Sequence, residues 1–278
     1  MSNIYLFLGG VLGYVLSAFL SIFKNFGIAV IFFALFATLI TIPFDVVQRK
    51  SAKKAEFLKI EQEKIREKYK DSEDKDELNQ ELTAMYKNNH YNPVPGCLSQ
   101  IISFFLVIGL LFAISSPLTS LLHIDKNVVK EAKTNISVST RYEQLDIIRE
   151  VHEGKDFSNY FSPEEIEDIK EIGDNFSFIG IDLFTQPKDG FPALAFALIY
   201  ILLLLAQTMR PVFQEIVKKR KKGEAISPKK TARTIGLRMI IPVFVSVVCM
   251  FIPTAVVLYW TFSLTFGIIE TIVIERKV

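Results

Sequence analysis

Polar side chains interrupt stretches of this chain that are otherwise apolar. Ser99, Gln100 and Ser103 fall early in an uncharged run over 97–123, and Gln207 and Thr208 fall at the end of another over 190–209. Amides and hydroxyls at such depth face protein or water rather than lipid. They can hydrate a cavity or bind polar backbone. Thr38 lies in a further apolar run, but a threonine hydroxyl can bond back to its own helix, so Thr38 taken alone could be a packing or lipid-facing residue. Nothing in the sequence supplies covalent chemistry. There is no nucleophile elbow and no glycine-rich phosphate loop. His90, His123 and His152 show no ligand spacing, so no metal site is expected. Cys97 and Cys249 fall at different depths and are expected to be buried thiols, not a disulfide. No catalytic residue and no cofactor is expected, and the chain does not read as an enzyme.

The elements that must position these residues are membrane spans. Uncharged runs lie at about 25–44, 97–123, 190–209 and 239–269, and the last is long enough for two spans. A bilayer core roughly 30 Å thick needs roughly 20 apolar residues. Charge is sorted between the runs. Arg49 to Lys87 holds 11 Lys/Arg and 10 Asp/Glu, Asp125 to Asp189 holds 8 and 15, and Arg210 to Arg233 holds 9 and 2. Lys and Arg near span ends stay cytoplasmic. The expected fold is therefore all-α: a bundle of five transmembrane helices with a cytoplasmic helical hairpin, an outer helical insert and a cytoplasmic C-terminus. Ser72 and Gly223 are expected inside and Gly154 outside. A chain that is 50% hydrophobic fits this class and not a soluble two-domain enzyme.

The expected boundaries follow. Residues 1–24 form an interfacial or membrane helix, since Gly10, Tyr14, Ser17, Ser21 and Lys24 give a weakly polar stripe at helical spacing. The first span covers 25–48, with Pro43 in its last turns. The hairpin covers 49–92. Leu58, Ile65 and Tyr69 stripe its first arm, Leu78, Leu82, Met85 and Tyr86 its second, and Asp71 to Asp74 make the turn. Asn92-Pro93-Val94-Pro95-Gly96 breaks the helix before the second span, 93–123. The outer loop, 124–189, carries an amphipathic helix marked by Tyr142, Leu145, Ile148 and Val151. It carries another that opens at Ser162-Pro163-Glu164-Glu165 and continues through Ile166, Ile169 and Ile172. The third span is 190–210, a basic loop follows at 211–234, and the fourth and fifth spans are 235–253 and 254–278. The fifth includes the short tail, and Pro253-Thr254 forms the turn between the two.

Four stretches resemble the YidC family of membrane protein insertases in its short, Gram-positive form. They are Asn25 to Val30 with Ile42-Pro43-Phe44 and Gln48 to Lys70; Glu81 to Lys87 with Asn92-Pro93 and Gly96-Cys97-Leu98; Gly180 to Leu183; and Ile252-Pro253 with Val257 to Trp260 and Phe266 to Ile269. The resemblance implies a hydrophilic groove open to cytoplasm and lipid and closed to the outside, in the cell membrane of a bacterium. A polar segment of a client enters the groove while its apolar segment passes into lipid. It implies nascent membrane proteins as clients, the ribosome or the general secretion translocon as partners, and contact with membrane lipids. On this reading Thr38, Thr41, Gln100, Ser103, Gln207, Tyr259 and Trp260 line the groove.

The chain departs from the family pattern in ways that bear on that groove. Thr38 stands where the family has a basic residue, five positions before Pro43, and Ser103-Phe104-Phe105 replaces the family's Gln-Met-Pro. The insert at 125–175 stands where short members have a brief loop, and it is expected to serve a specific partner. A dedicated assembly subunit or chaperone without general insertase activity is the competing reading.

Overall fold

The computed structural model describes residues 2–70, 75–91, 95–137, 140–223 and 225–275. The chain is mostly helical and divides into two compact units, one of Met1–Thr38 with Leu106–Val278 and one of Leu39–Phe105. Among the described residues four helices are long and apolar enough to cross a membrane: Phe26–Lys68, Phe191–Lys221, Thr231–Cys249 and Thr254–Val273. Gly9–Phe23 and Ile101–Ser115 are shorter apolar helices.

In the first unit, α1 (Ser2–Phe23) packs against the far end of α4 (Pro95–Ser115) and against α5 (Pro117–Ser120). Gly13 permits the closest approach, since a Cβ there would stand 2.2 Å from the Ser120 carbonyl oxygen. The uncharged run over 97–123 is not one helix. It stops at Ser115 because Pro117 cannot continue a helix and opens a new one, and the chain turns at His123 with φ 56.

The helix α2 (Phe26–Lys68) starts at Asn25, whose Oδ1 accepts from Ile28 N at 3.0 Å. Its first turns bury Phe26, Ala29, Val30, Phe33 and Ala34 completely. It runs without a break through Pro43.

Residues 125–189 form a packed layer continuous with the core of the long helices. Asp125 caps α6 (Lys126–Ala132), its side chain accepting from Asn127 N. Leu145, Ile148 and Val151 on α7 (Glu143–His152) pack with Ile169 and Ile172 on α8 (Pro163–Asn175) and with Phe157 and Phe161 between them. Ser162 and Glu165 close the reciprocal cap that their spacing predicts. A short antiparallel hairpin follows, β1 (Ser177–Phe178) on β2 (Ile181–Asp182). Its turn residues Ile179 and Gly180 both have positive φ, 51° and 74°.

The helices α9 (Phe191–Lys221), α10 (Pro228–Cys249) and α11 (Thr254–Glu275) complete the unit, with α9 packed on both others. α9 runs past 210 to Lys221, and α10 begins at Pro228, before the expected 235. Leu237, Ile240, Ile241, Phe244 and Val247 of α10 are exposed, an apolar face suited to lipid.

The second unit holds the rest of α2, the helix α3 (Lys75–Asn88) and the start of α4. Ile65, Leu82 and Met85 form its core, flanked by Tyr69, Leu78 and Tyr86. Lys68 pairs with Glu81 at 2.7 Å and holds that carboxyl below its usual range. Lys54 Nζ donates to the His90 carbonyl at 2.9 Å. The expected turn at 71–74, the expected break at 92–94 and the basic residues Arg276 and Lys277 lie outside the described residues.

Candidate functional site

The candidate lining residues do not fall in one body. Thr38, Gln207, Tyr259 and Trp260 belong to the first unit, and Thr41 and Ser103 to the second. Gln100 is in α4, but its side chain lies outside the described residues, as does that of Cys97. The Thr38 hydroxyl donates to its own helix, at the Ala34 carbonyl 2.8 Å away, and the residue is half-buried. Tyr259 is buried, with its ring 6.0 Å from that of Phe33 on α2. Trp260 is half-buried, 5.7 Å from Tyr200 on α9. Thr41 is buried, Ser103 is half-buried, and Cys249 is a buried free thiol.

Burial in the first unit is uneven along the helices. Ala255, Val256, Val257, Leu258 and Tyr259 at the start of α11 are all 3% exposed or less, whereas no residue from Phe262 to Val273 is buried. On α9 one heptad line runs Ala193, Ala197, Tyr200, Leu204, Gln207, Pro211. The first three are buried, Leu204 is half-buried, and Gln207 and Pro211 are exposed. The helix face that is core near residues 125–189 is open at its other end. The open half carries hydroxyls that the sequence reading passed over, Ser263, Thr265 and Thr271 among them. Thr265 and Thr271 each donate to a carbonyl of the preceding turn. A threonine every few positions along a mostly apolar helix was the available signal.

The closed end is sealed by residues 176–185. Phe26 stacks on Phe176 at 3.8 Å, and Phe176 stacks on Phe184 at 3.6 Å. Asn25 Nδ2 donates to the Ser177 carbonyl at 3.0 Å. The first amides of α11 have no acceptor inside their own helix. Thr254 N donates to the Thr185 carbonyl at 2.8 Å, and Ala255 N donates to the Leu183 carbonyl at 3.1 Å. The Thr254 hydroxyl also donates to Thr185 O at 2.6 Å. Asp182 Oδ1 accepts from Phe184 N and sets the bend. The hairpin turn therefore ties the N-terminal ends of two spanning helices, α2 and α11, to one loop. Tyr142, just before α7, adds a bond from its hydroxyl to the Phe251 carbonyl at 3.0 Å.

Residues 18–278 match the family model described as 60Kd inner membrane protein. The chain belongs to that family, the YidC/Oxa1 family. It is 34% identical over 92 residues to a membrane protein insertase YidC of Chloroherpeton thalassium, which is 33% of this chain and 15% of that one. It is 32% identical over 92 residues to the membrane protein insertase MisCA of Bacillus subtilis, 32% of this chain and 35% of that one. It is 33% identical over 110 residues to a YidC of Fusobacterium nucleatum, 40% of this chain and 53% of that one. The matched stretches thus span between about a seventh and about half of these relatives. Family membership and the apolar helices make the chain a multi-pass protein of a bacterial membrane. Asp182 and Leu183 of the stretch Gly180-Ile-Asp-Leu183 are bonded into this seal.

Proposed function

We propose that this protein inserts and folds membrane proteins, receiving the polar segment of a client in the open half of the first unit while the apolar segment passes into lipid. The carrying observation is the heptad line on α9 that turns from buried Ala193, Ala197 and Tyr200 to exposed Gln207 and Pro211. A helix face that leaves the core halfway along a membrane span must meet water, a mobile partner or lipid, and a glutamine there selects the first two. Moving a polar group through hydrocarbon costs several kcal/mol, so a wet half-path shortens the dry distance. The sealed end keeps that path from crossing the membrane.

On this reading the sealed end faces outside and the open end faces the cytoplasm, as the charge sorting requires. α4 is the remaining span, and nascent chains and lipids are the partners. Reconstitution in liposomes tests the function. A client with one apolar span and a short polar tail acquires protease protection of that tail when the protein is present. A folded, correctly oriented protein that protects none of a panel of such clients, and does not replace a depleted housekeeping insertase, overturns the proposal. Rescue limited to one client would instead favour a dedicated assembly subunit.

A further inference from the structure

A cleft of about 410 Å³ opens between the start of α7 and the chain around and after β2. Asp146 and Arg149 line it from α7, and Asp182, Gln186 and Asp189 line it from the other side. Three carboxylates against one guanidinium leave a net charge of −2. Arg149 offsets little of it. Among the described residues its one ion pair, to Asp182 Oδ2, is 3.9 Å long, beyond hydrogen-bond reach. Lys188, beside Asp189, lies over the Phe251 ring at 5.2 Å instead. Asp146 differs from the other two carboxylates because the residue is only 6% exposed. A buried carboxylate needs hydrogen bonds on its lone pairs. Asp146 Oδ2 accepts from both the backbone N and the hydroxyl of Thr140, at 2.7 and 2.8 Å. Its Oδ1 has no partner among the described residues and is not enclosed by protein atoms, so it looks into the cleft that Asp146 lines. Acceptor capacity on a buried carboxylate is thus left for a donor from outside the chain.

We propose that this cleft binds an arginine side chain presented by an exposed segment of another protein. The net charge calls for a cation. Among the described residues no three His, Cys, Asp or Glu stand close enough to share a metal ion, so the cation is an extended one with several donors. A guanidinium carries its N–H donors in a planar fork and can reach Asp146 Oδ1 and a second carboxylate together. Bonds of that kind, between charged partners, are the strong ones. Tyr142, Leu145 and Phe184 line the same cleft and cover the apolar stem of the arginine. Arg149 is the rival cation already present, loosely held by Asp182. The cleft gives residues 125–189 a partner of stated chemistry, beside the seal and apart from the open half of the bundle. It does not rest on the insertase reading.

Peptide binding to the full-length protein in an uncharged detergent tests the proposal. The probes are a dansyl-labelled glycine peptide with one central arginine and the same peptide with citrulline, which keeps the shape and loses the charge. Fluorescence anisotropy should show the arginine peptide bound several-fold more tightly. Asp146→Asn keeps an acceptor for Thr140 but turns a donor toward the cleft, and it should abolish the preference. Asp189→Asn, at an exposed residue, should reduce the preference several-fold and leave the melting temperature unchanged. Arg149→Gln removes the rival cation and should raise the affinity for the arginine peptide several-fold. Where Asp146→Asn does not fold, the other two substitutions decide alone. Equal binding of the two peptides overturns the proposal, and so does a preference that none of the substitutions moves. A lipid amine is the other cation at hand beside a membrane. A preference seen in detergent that vanishes in phosphatidylethanolamine nanodiscs gives the cleft to the headgroup and overturns the protein partner.

Discussion

Gly13 and Gly10 sit one turn apart on α1 and answer the same substitution in opposite ways. Helix propensity favours alanine over glycine by about 1 kcal/mol in a helix interior. At Gly10 nothing stands within 4 Å of an added Cβ, so Gly10→Ala should be neutral or slightly stabilising. At Gly13 the added atom meets the Ser120 carbonyl at 2.2 Å, and overpacking of about 1–3 kcal/mol outweighs propensity. Thermal melting of the two variants in detergent should diverge in sign. A second residue-scale prediction concerns acid. His123 stacks on Tyr14 at 3.8 Å, and partial desolvation of this otherwise exposed ring lowers its pKa below the ordinary 6.5. The unfolded chain then binds a proton that the folded one resists. Stability from this site is present above about 6.5 and falls as pH drops through and below that value. His123→Asn, which tolerates the positive φ found there, should flatten that part of the melting profile between pH 7 and 5. An unchanged profile would assign the acid sensitivity elsewhere. Neither contact was readable in the sequence, because both depend on chain segments brought together across α1 and the turn after α5.

Helices announce themselves more clearly than their partners do. The cap at Ser162 was legible because its chemistry is local: Ser, Pro and acids at fixed offsets satisfy the first amides of α8. Ser162→Ala should cost about 1 kcal/mol, read as a lower denaturation midpoint. The stripes of α7 and α8 were legible for the same reason, and their isoleucines and leucines do meet. The seal at 176–185 was not. Strands of two residues have no period to detect, and Ile179 is an unfavourable residue for a positive φ. The open half of α9 was half legible. Gln207 signalled a polar site, but the apolar stripe through Phe213 and Val217 was hidden under the adjoining basic run, which drew the expected end of the span back to Arg210. Amide exchange should grade these elements. The amides of Thr254 and Ala255, bonded to backbone in a buried seal, should exchange orders of magnitude more slowly than those of α3, which rests on a small three-residue core.

Taken whole, the chain alternates basic-rich and acidic loops between its apolar runs, and the orientation proposed from that alternation has a direct check. A cysteine at exposed Asn159 should react with an impermeant reagent from outside intact cells, and one at exposed Lys221 only after permeabilisation. Asn159 is the better probe than Gly154, whose φ of 91° penalises any side chain. The reverse labelling would invert the reading of which end is sealed. The mostly helical, multi-pass character was legible at this scale because span length is a property of composition. The division at Thr38–Leu39 was not, because it depends on which helices keep their contacts.

The bonds from Thr254 and Ala255 to Thr185 and Leu183 carry a consequence for the order in which the molecule is made. Synthesis proceeds from the N-terminus, so the two carbonyls emerge about 70 residues before their donors, as the separation of 69 positions between Thr185 and Thr254 records. Until α11 arrives, the loop beneath Phe176 and Phe184 is held by α2, α7 and α9 without those two bonds. The closing of the seal is then a latch, thrown when α11 leaves the ribosome. Nascent chains arrested with Cys249 just exposed should be cut by protease at 176–185, and chains arrested after Glu275 should resist. Equal resistance in the two would mean that the seal sets before its final strand of contacts is available.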